Sequence, residues 1–269
     1  MPELPEVEYV RRQLRRVMEG ARIERVRARR PDLRYPLPGD FAARLEGHTV
    51  RTLTRRAKYL LAGLSSGDVL LMHLGMSGSF RVLGGGWDEE PATHDHVIFE
   101  MSSGAAVVFN DPRRFGFMKI LRGGDHAAAL GALGPEPLAR GFNAGVLART
   151  LGNKRTSLKA ALSDQRVVSG LGNIYVCEAL HRARLSPRRR ASTLVARSGA
   201  PRAEALALVD AIKAVLKDAI ANSHRPGGED RFRVYGREGQ RCPRRRCPGL
   251  IRRIIQTGRS TFFCPVCQR

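Results

Sequence analysis

The chain has 269 residues, 42% of them hydrophobic, and a formal net charge of +22. That length allows two modest domains with real cores, and no apolar run reaches the roughly 18 residues that a membrane helix requires. So large a charge repels itself in a compact fold, which points to a polyanionic partner: DNA, RNA, the ribosome or an anionic membrane surface. The first residues lack the charged and then apolar pattern of a secretory signal, so a cytoplasmic, nucleic-acid-associated protein with no membrane association is expected.

The chain opens Met1-Pro2-Glu3. If Met1 is removed, Pro2 carries a secondary α-amine. Such an amine titrates roughly near pH 8, well below a lysine near 10.4, so more of it is free base at neutral pH. A free amine attacks aldehyde-like carbons by the logic of a Schiff-base lysine, and Glu3 beside it is a possible proton donor. Proline beside a start codon is also common without any function, and these residues alone do not decide.

From Pro5 to Gly20, Val7, Val10, Leu14 and Val17 recur at three- and four-residue steps and predict a helix whose polar positions include Arg11, Arg12, Arg15 and Arg16. Pro5 suits its first turn and Gly20 its end. Short β-like runs follow: Ile23–Ala28, Thr49–Arg55, Tyr59–Leu64, Val69–His73, Ser79–Leu83, His96–Met101, Ala105–Asn110 and Met118–Leu121. Eight strands at this spacing predict an antiparallel sandwich or barrel, with Gly84-Gly85-Gly86 and the acidic stretch after it as a hairpin tip.

Residues 123–142 are rich in Gly, Ala and Pro and read as a linker between a domain at 1–122 and a helical domain at 143–230. Helices are predicted over Ala144–Leu151, Ser157–Leu162, Ile174–Ala183 and Ala203–Asn222; in the last, Leu208, Ile212, Val215, Leu216 and Ala219 share one face. Residues 223–230 form a polar breaker, and residues 231–269 return to β-like runs. That final segment holds eleven arginines and one acid, Glu238.

Four of the five cysteines lie in the final segment. Cys242 and Cys247 are separated by four residues, Cys264 and Cys267 by two, and the pairs by sixteen. This is the spacing of a four-cysteine structural zinc site, closed rather than catalytic. A metal-stapled hairpin so rich in arginine reads as a nucleic-acid binder, with Arg259 on the arm between the cysteine pairs placed to reach a phosphate. Cys177, alone in a helix, reads as packing.

Three further stretches carry two readings each. Ser169-Gly170-Leu171-Gly172-Asn173 is either an anion site at a helix N-terminus or a simple turn with an Asn cap. Asp111–Gly116, with His73–Met76, either presents Arg113, Phe115 and Met76 as wedges into a base stack or buries the Phe and Met in a core. Lys58 is a phosphate contact or a surface charge.

Together these elements resemble the bacterial formamidopyrimidine-DNA glycosylases. The resemblance rests on Pro2–Glu8, Arg55–Tyr59, His73–Gly78, His94–His96, Asp111–Gly116, Gly170–Tyr175 and Gly258–Cys267, which occur in the family's order from Pro2 to Gln268. It implies an α+β multidomain chain: an N-terminal antiparallel β-sandwich with an N-terminal helix, a helix–two-turn–helix module, and a four-cysteine zinc-finger β-hairpin at 231–269 holding one zinc ion, with DNA in the cleft between domains.

The resemblance also implies base-excision repair of oxidised purines (8-oxoguanine and formamidopyrimidines) by a monomer acting on double-stranded DNA, in a bacterial cytoplasm beside the nucleoid. Abasic strand cleavage would follow. Pro2 would be the nucleophile at the sugar C1′ and Glu3 the acid at the ring oxygen. Lys58 and Arg259 match positions assigned to proton donation in β- and δ-elimination; for Arg259, whose pKa exceeds about 12, phosphate clamping is the chemically sounder role. His73, His94, Lys154, Asn173 and Tyr235 match DNA-contacting positions, and Met76, Arg113 and Phe115 match the residues that fill the vacated stack.

The chain departs from the family's pattern at two places. The four-residue gap between Cys242 and Cys247 exceeds the commoner two, and the segment from Asn222 to Val234 is shorter than the family's loop over the flipped base. The shorter loop leaves open a preference for oxidised pyrimidines, as in the related endonuclease VIII proteins. A non-catalytic binder of damaged DNA would need neither Pro2 nor Glu3, and a general nucleic-acid binder would not need the ordered motifs.

Overall fold

The computed structural model describes residues 2–85, 90–222 and 232–269. The chain divides into two compact units, Met1–Ala132 and Leu133–Arg269.

The first unit begins with helix α1, Leu4–Met18. Glu3 is its N-cap: the Glu3 side chain accepts from the Glu6 amide, and Glu6 Oε2 accepts from the Glu3 amide at 3.0 Å. This reciprocal box satisfies two helix-end donors and fixes the residues just before the helix. Leu4, Val7, Leu14 and Met18 are buried on one face. At the edge of that face Glu8, itself largely covered, bonds Arg11 and Arg12. Burial alone would raise its carboxyl, but the two guanidinium groups outweigh burial and hold it at about 2. Gly20, at φ +86, turns the chain where other side chains would be strained.

Eight strands follow: β1 Ile23–Ala28, β2 Val50–Arg56, β3 Tyr59–Leu64, β4 Val69–His73, β5 Ser79–Gly84, β6 Asp95–Met101, β7 Ala105–Asn110 and β8 Phe117–Leu121. They form two antiparallel sheets, ordered β1-β6-β7-β5 and β2-β3-β4-β8. Leu53, Leu60, Leu70, Met72, Val97, Phe99, Val107 and Phe109 join the apolar face of α1 in one core. The other face of β6 and β7 is covered as well, with Ile98, Ala106 and Val108 in a second cluster. Burial on both faces explains why these strands read as continuous apolar runs rather than alternating ones. A short helix, α2 (Asp125–Leu130), lies inside the stretch read as a linker.

The second unit holds α3 Ala144–Leu151, α4 Leu158–Ser163, α5 Asn173–Arg182, a 3-10 turn at Ala191–Leu194 and α6 Ala203–Ala221. Asn143 and Ser157 cap α3 and α4 through side-chain oxygens at 3.0 and 3.3 Å. Strands β9 Arg252–Gln256 and β10 Arg259–Phe263 form the terminal hairpin. The polar breaker at 223–230 and residues 86–89 of the acidic hairpin tip lie outside the described residues. No helix among the described residues is long and apolar enough to cross a membrane.

Candidate functional site

In the first unit, Pro2 is half-buried and stands directly before Glu3, which is only 1% exposed. The capped first turn of α1 therefore holds a carboxyl group beside Pro2. Lys58 sits in the two-residue turn joining β2 and β3; its neighbour Ala57 adopts φ +53, a left-handed conformation of the kind such hairpins demand.

His73 ends β4 opposite Tyr59 and Phe117. Its ring stacks on Phe117 with centroids 5.2 Å apart, and Nδ1 accepts the Gly75 amide at 3.0 Å. Burial first, then the charges of Lys58 and Arg34, hold the imidazole at about 4. At neutral pH the ring is uncharged and carries its proton on Nε2, a directed donor.

Three loops converge on one buried carboxylate, Asp111, which is 0% exposed. Its Oδ1 accepts from Ser77 Oγ at 2.5 Å and its Oδ2 from the Gly116 amide at 2.7 Å. Its carbonyl accepts from His96 Nε2 at 2.9 Å, and its amide donates to the His94 carbonyl at 3.0 Å. The Ser77 hydroxyl also accepts the Arg113 amide at 3.1 Å. Gly75 packs so tightly on the Phe115 backbone that an added Cβ would lie 2.2 Å from it.

The result is a presented surface rather than a core. Met76 and Phe115 are each 39% exposed, against the alternative that buries them. The Arg113 guanidinium lies 4.9 Å above the Phe115 ring. His94, whose carbonyl accepts the Asp111 amide, is exposed as well.

In the second unit, the four final cysteines come together. All four sulfur atoms lie within 4.8 Å of one another, with Cys242–Cys267 at 3.8 Å and Cys247–Cys264 at 3.6 Å. A tetrahedron with metal–sulfur bonds of about 2.3 Å has edges of about 3.8 Å, so the cluster fits a metal ion. Burial pushes the Cys267 thiol up to about 12, so a cation is needed before all four can be thiolates together. Gly249 is required beside them, since a Cβ there would lie 2.5 Å from Cys264 Sγ.

Two neighbours brace this cluster, and sequence reasoning singled out neither. His181, fully buried on α5, places Nε2 3.4 Å from Cys242 Sγ. Glu178, 5% exposed, accepts the amides of Arg233, Val234 and Tyr235 at 2.9, 2.9 and 3.0 Å. Their only sequence signal is an acid and a histidine on an otherwise apolar helix.

Tyr235 packs its ring 5.0 Å from that of Phe262. Arg259 is exposed at the start of β10, after a turn in which Thr257 and Gly258 both have positive φ. Lys159, 0% exposed and missed by sequence reasoning, anchors that turn by donating to the Gln256 carbonyl at 3.4 Å; burial lowers its pKa. Lys154 pairs with Asp164 at 3.5 Å.

Asn173 differs from the capping alternative. Gly172 is the N-cap of α5, and the Asn173 amide instead donates to the Ser260 carbonyl at 2.8 Å, tying the helix start to the hairpin.

The family of this chain follows from its full length. Residues 1–118 match the formamidopyrimidine-DNA glycosylase N-terminal domain, and residues 133–226 match the formamidopyrimidine-DNA glycosylase H2TH domain. The chain belongs to the formamidopyrimidine-DNA glycosylase family. It is 60% identical to formamidopyrimidine-DNA glycosylase of Rhodopseudomonas palustris (strain HaA2) and 58% identical to that of Bradyrhizobium sp. (strain BTAi1), each over 100% of both chains.

Among solved structures, it is similar to Lactococcus lactis formamidopyrimidine-DNA glycosylase bound non-covalently to DNA containing an AP site, with 30% identity, a TM-score of 0.88 and 100% of both chains covered. A structure of MutM in complex with DNA containing carbocyclic 8-oxo-G gives the same identity, TM-score and coverage.

Proposed function

We propose that this chain is a DNA glycosylase of base-excision repair that removes oxidised purines from double-stranded DNA and then cleaves the abasic strand. The observation that carries the chemistry is the N-terminus: Pro2 stands directly before a buried Glu3 that caps a rigid helix. With Met1 removed, the Pro2 nitrogen attacks the sugar C1′ and the C1′–N bond breaks, the damaged base leaving with the proton that Pro2 sheds. Glu3 protonates the ring oxygen as the C1′–O4′ bond opens, leaving Pro2 and C1′ joined as an iminium. The resulting iminium acidifies the adjacent C2′–H. Loss of that proton expels the 3′ phosphate, a second elimination expels the 5′ phosphate, and water releases Pro2.

Lys58 serves proton transfer in these eliminations, and Arg259 clamps a phosphate. His73 donates from its neutral ring to the backbone, and His94, Lys154 and Tyr235 add further backbone contacts. Asn173 contributes through the start of α5, since its side-chain amide is engaged with Ser260. Met76, Arg113 and Phe115 fill the stack left by the extruded lesion; extrusion costs a few kcal/mol, offset by the wedge and by phosphate contacts. Cys242, Cys247, Cys264 and Cys267 hold a structural zinc ion that fixes the basic hairpin.

The preference for purines is supported by relatives named for formamidopyrimidine and by the exposed Met76, Arg113 and Phe115 set. Most of the shortened segment from Asn222 to Val234 lies outside the described residues.

Borohydride trapping on duplexes bearing 8-oxoguanine, an oxidised pyrimidine or a preformed abasic site tests the reading, with mass spectrometry to locate the adduct. An adduct at Pro2 from the 8-oxoguanine duplex is expected. Trapping from the oxidised pyrimidine but not from 8-oxoguanine would assign the endonuclease VIII-like preference, and no adduct from any duplex would sink the covalent mechanism. Glu3→Gln should abolish base excision while largely sparing cleavage of a preformed abasic strand; equal loss of both would remove Glu3 from the acid role.

A further inference from the structure

Beside the wedge loops lies a second basic surface that the reaction does not use. Tyr35 is 42% exposed. The Arg34 guanidinium lies 5.5 Å from the centre of its ring and Lys119 Nζ 5.0 Å from the same centre. The ring is fixed from beneath by edge contact with Phe117 at 5.3 Å, and Phe117 in turn stacks on His73.

Two cations gathered on one aromatic ring repel each other, and exposed cation–π contacts return little against that. The usual relief would be a carboxylate. Among the described residues neither Arg34 nor Lys119 has one within ion-pair distance, and Asp32, in the same loop, is engaged by Arg30 at 3.4 Å and Arg114 at 4.0 Å. The pair is held together but left unneutralised, which suits an anion supplied from outside.

The surface is continuous with the wedge. The Arg34 amide donates to the Gly116 carbonyl at 3.0 Å, one residue after Phe115, and Asp32 reaches Arg114 in the same loop. Arg34 also lies close enough to His73 to help depress its pKa.

We infer that Arg34 and Lys119, splayed on the Tyr35 ring, form a clamp for backbone phosphates of duplex DNA flanking the lesion. This clamp rests on the DNA-binding reading given above and extends the interface beyond the extruded nucleotide and its stack. Its contribution is sequence-independent, because phosphates carry no base identity. Tyr35 acts as a platform that keeps the two cations apart from solvent disorder and near each other.

The test is DNA binding by Arg34→Gln, Lys119→Gln and the double variant, across a salt series, on a long abasic-analogue duplex and on duplexes trimmed from either side. Each phosphate contact contributes about 0.9 to the slope of log K against log salt, so each single variant should lower the slope by about one and the double variant by about two. Affinity should fall roughly fivefold per charge at moderate salt. Borohydride trapping at saturating DNA should stay at the wild-type level.

Trimming one flank should remove the difference between wild type and the double variant, which locates the contact. Tyr35→Leu should lower the slope without removing a charge, whereas Tyr35→Phe should not. Variants that melt like wild type and keep its affinity and slope on the long duplex would overturn the clamp alone. A wild-type protein that binds no lesion or abasic duplex would overturn the DNA-binding reading and the clamp with it.

Discussion

The loops that present Met76, Arg113 and Phe115 and the cysteine hairpin both hold exposed arginines on rigid backbone, by opposite means. In the first unit the support is a buried carboxylate: Asp111 collects a hydroxyl and an amide on its two oxygens, above a core built from two sheets and a helix. In the second the support is sulfur: β9 and β10 are five residues each, and their cluster of Val234, Ile251 and Phe262 is completed by the cysteines themselves. A large apolar core can afford loops organised by hydrogen bonds, whereas a segment with eleven arginines has too little apolar surface to order itself.

Metal removal should therefore break the comparison hardest. Stripping the protein with a strong chelator, or replacing Cys264 by Ser, should abolish DNA binding, with the thermal transition of the first unit retained. Chelator-treated, metal-free protein with unchanged DNA affinity would contradict this account. Gly249→Ala should act in the same direction, since its methyl group would meet Cys264 Sγ.

Asp111→Ala is the matching break in the first unit. It leaves the Gly116 amide and the Ser77 hydroxyl without their acceptor, at a cost of about 3 kcal/mol. Denaturant unfolding should show that loss, and 8-oxoguanine excision should fall more than cleavage of a preformed abasic site, which has no base to replace in the stack. A variant with wild-type stability and excision would show that the three loops order themselves without the carboxylate.

What the sequence makes legible follows the range of the interactions. Strands such as Tyr59–Leu64 and Val69–His73 are readable in full because apolar runs between turn residues specify them locally. The four cysteines are equally legible, because ligand spacing is a property of the chain. Helix α2 was not: Asp125–Leu130 carries three alanines and no apolar periodicity, and its flanking glycines read as loop.

Asp111, Glu178, Lys159 and His181 were missed as organising residues for another reason. Glu178 meets Val234 across 56 residues and Lys159 meets Gln256 across 97, so their roles exist only once the fold brings them together. Asn173 shows the same limit, since its local signal favours a cap and its actual partner is Ser260.

A smaller effect is expected from His73. Its folded pKa of about 4 lies below the ordinary 6.5, so above pH 6.5 it is neutral whether the chain is folded or not. As pH falls from 6.5 toward 4, the unfolded chain takes up a proton that the folded one refuses, and stability is lost. At pH 5 the loss from this ring is about 2 kcal/mol. Glu8 and Asp164, both held at about 2, begin to cost stability only below the ordinary carboxylate range, so the interval from pH 6.5 to 5 belongs to histidine. Urea unfolding at pH 7 and 5 should show His73→Gln losing less than wild type; equal losses would mean the ring is not the source.

The smallest effect tests whether the cysteine region relies on sulfur alone to hold an ion. His181 is fully buried, and burial with nearby Arg244 holds its ring at about 4, so it is neutral at working pH. Its Nδ1 is buried without a hydrogen-bond partner, and Nε2 faces Cys242 Sγ at 3.4 Å, so the ring proton is best placed on Nε2, donating to sulfur. Such a bond withdraws charge from a thiolate and fixes its direction toward the ion. His181→Phe keeps the ring and removes the donor. Zinc should then pass to a competing chelator about tenfold more readily, with the fold retained, while His181→Gln should recover part of the difference. Equal competition curves for wild type and His181→Phe would show that the four sulfurs hold the ion unaided, and the contrast between the two regions would then be complete.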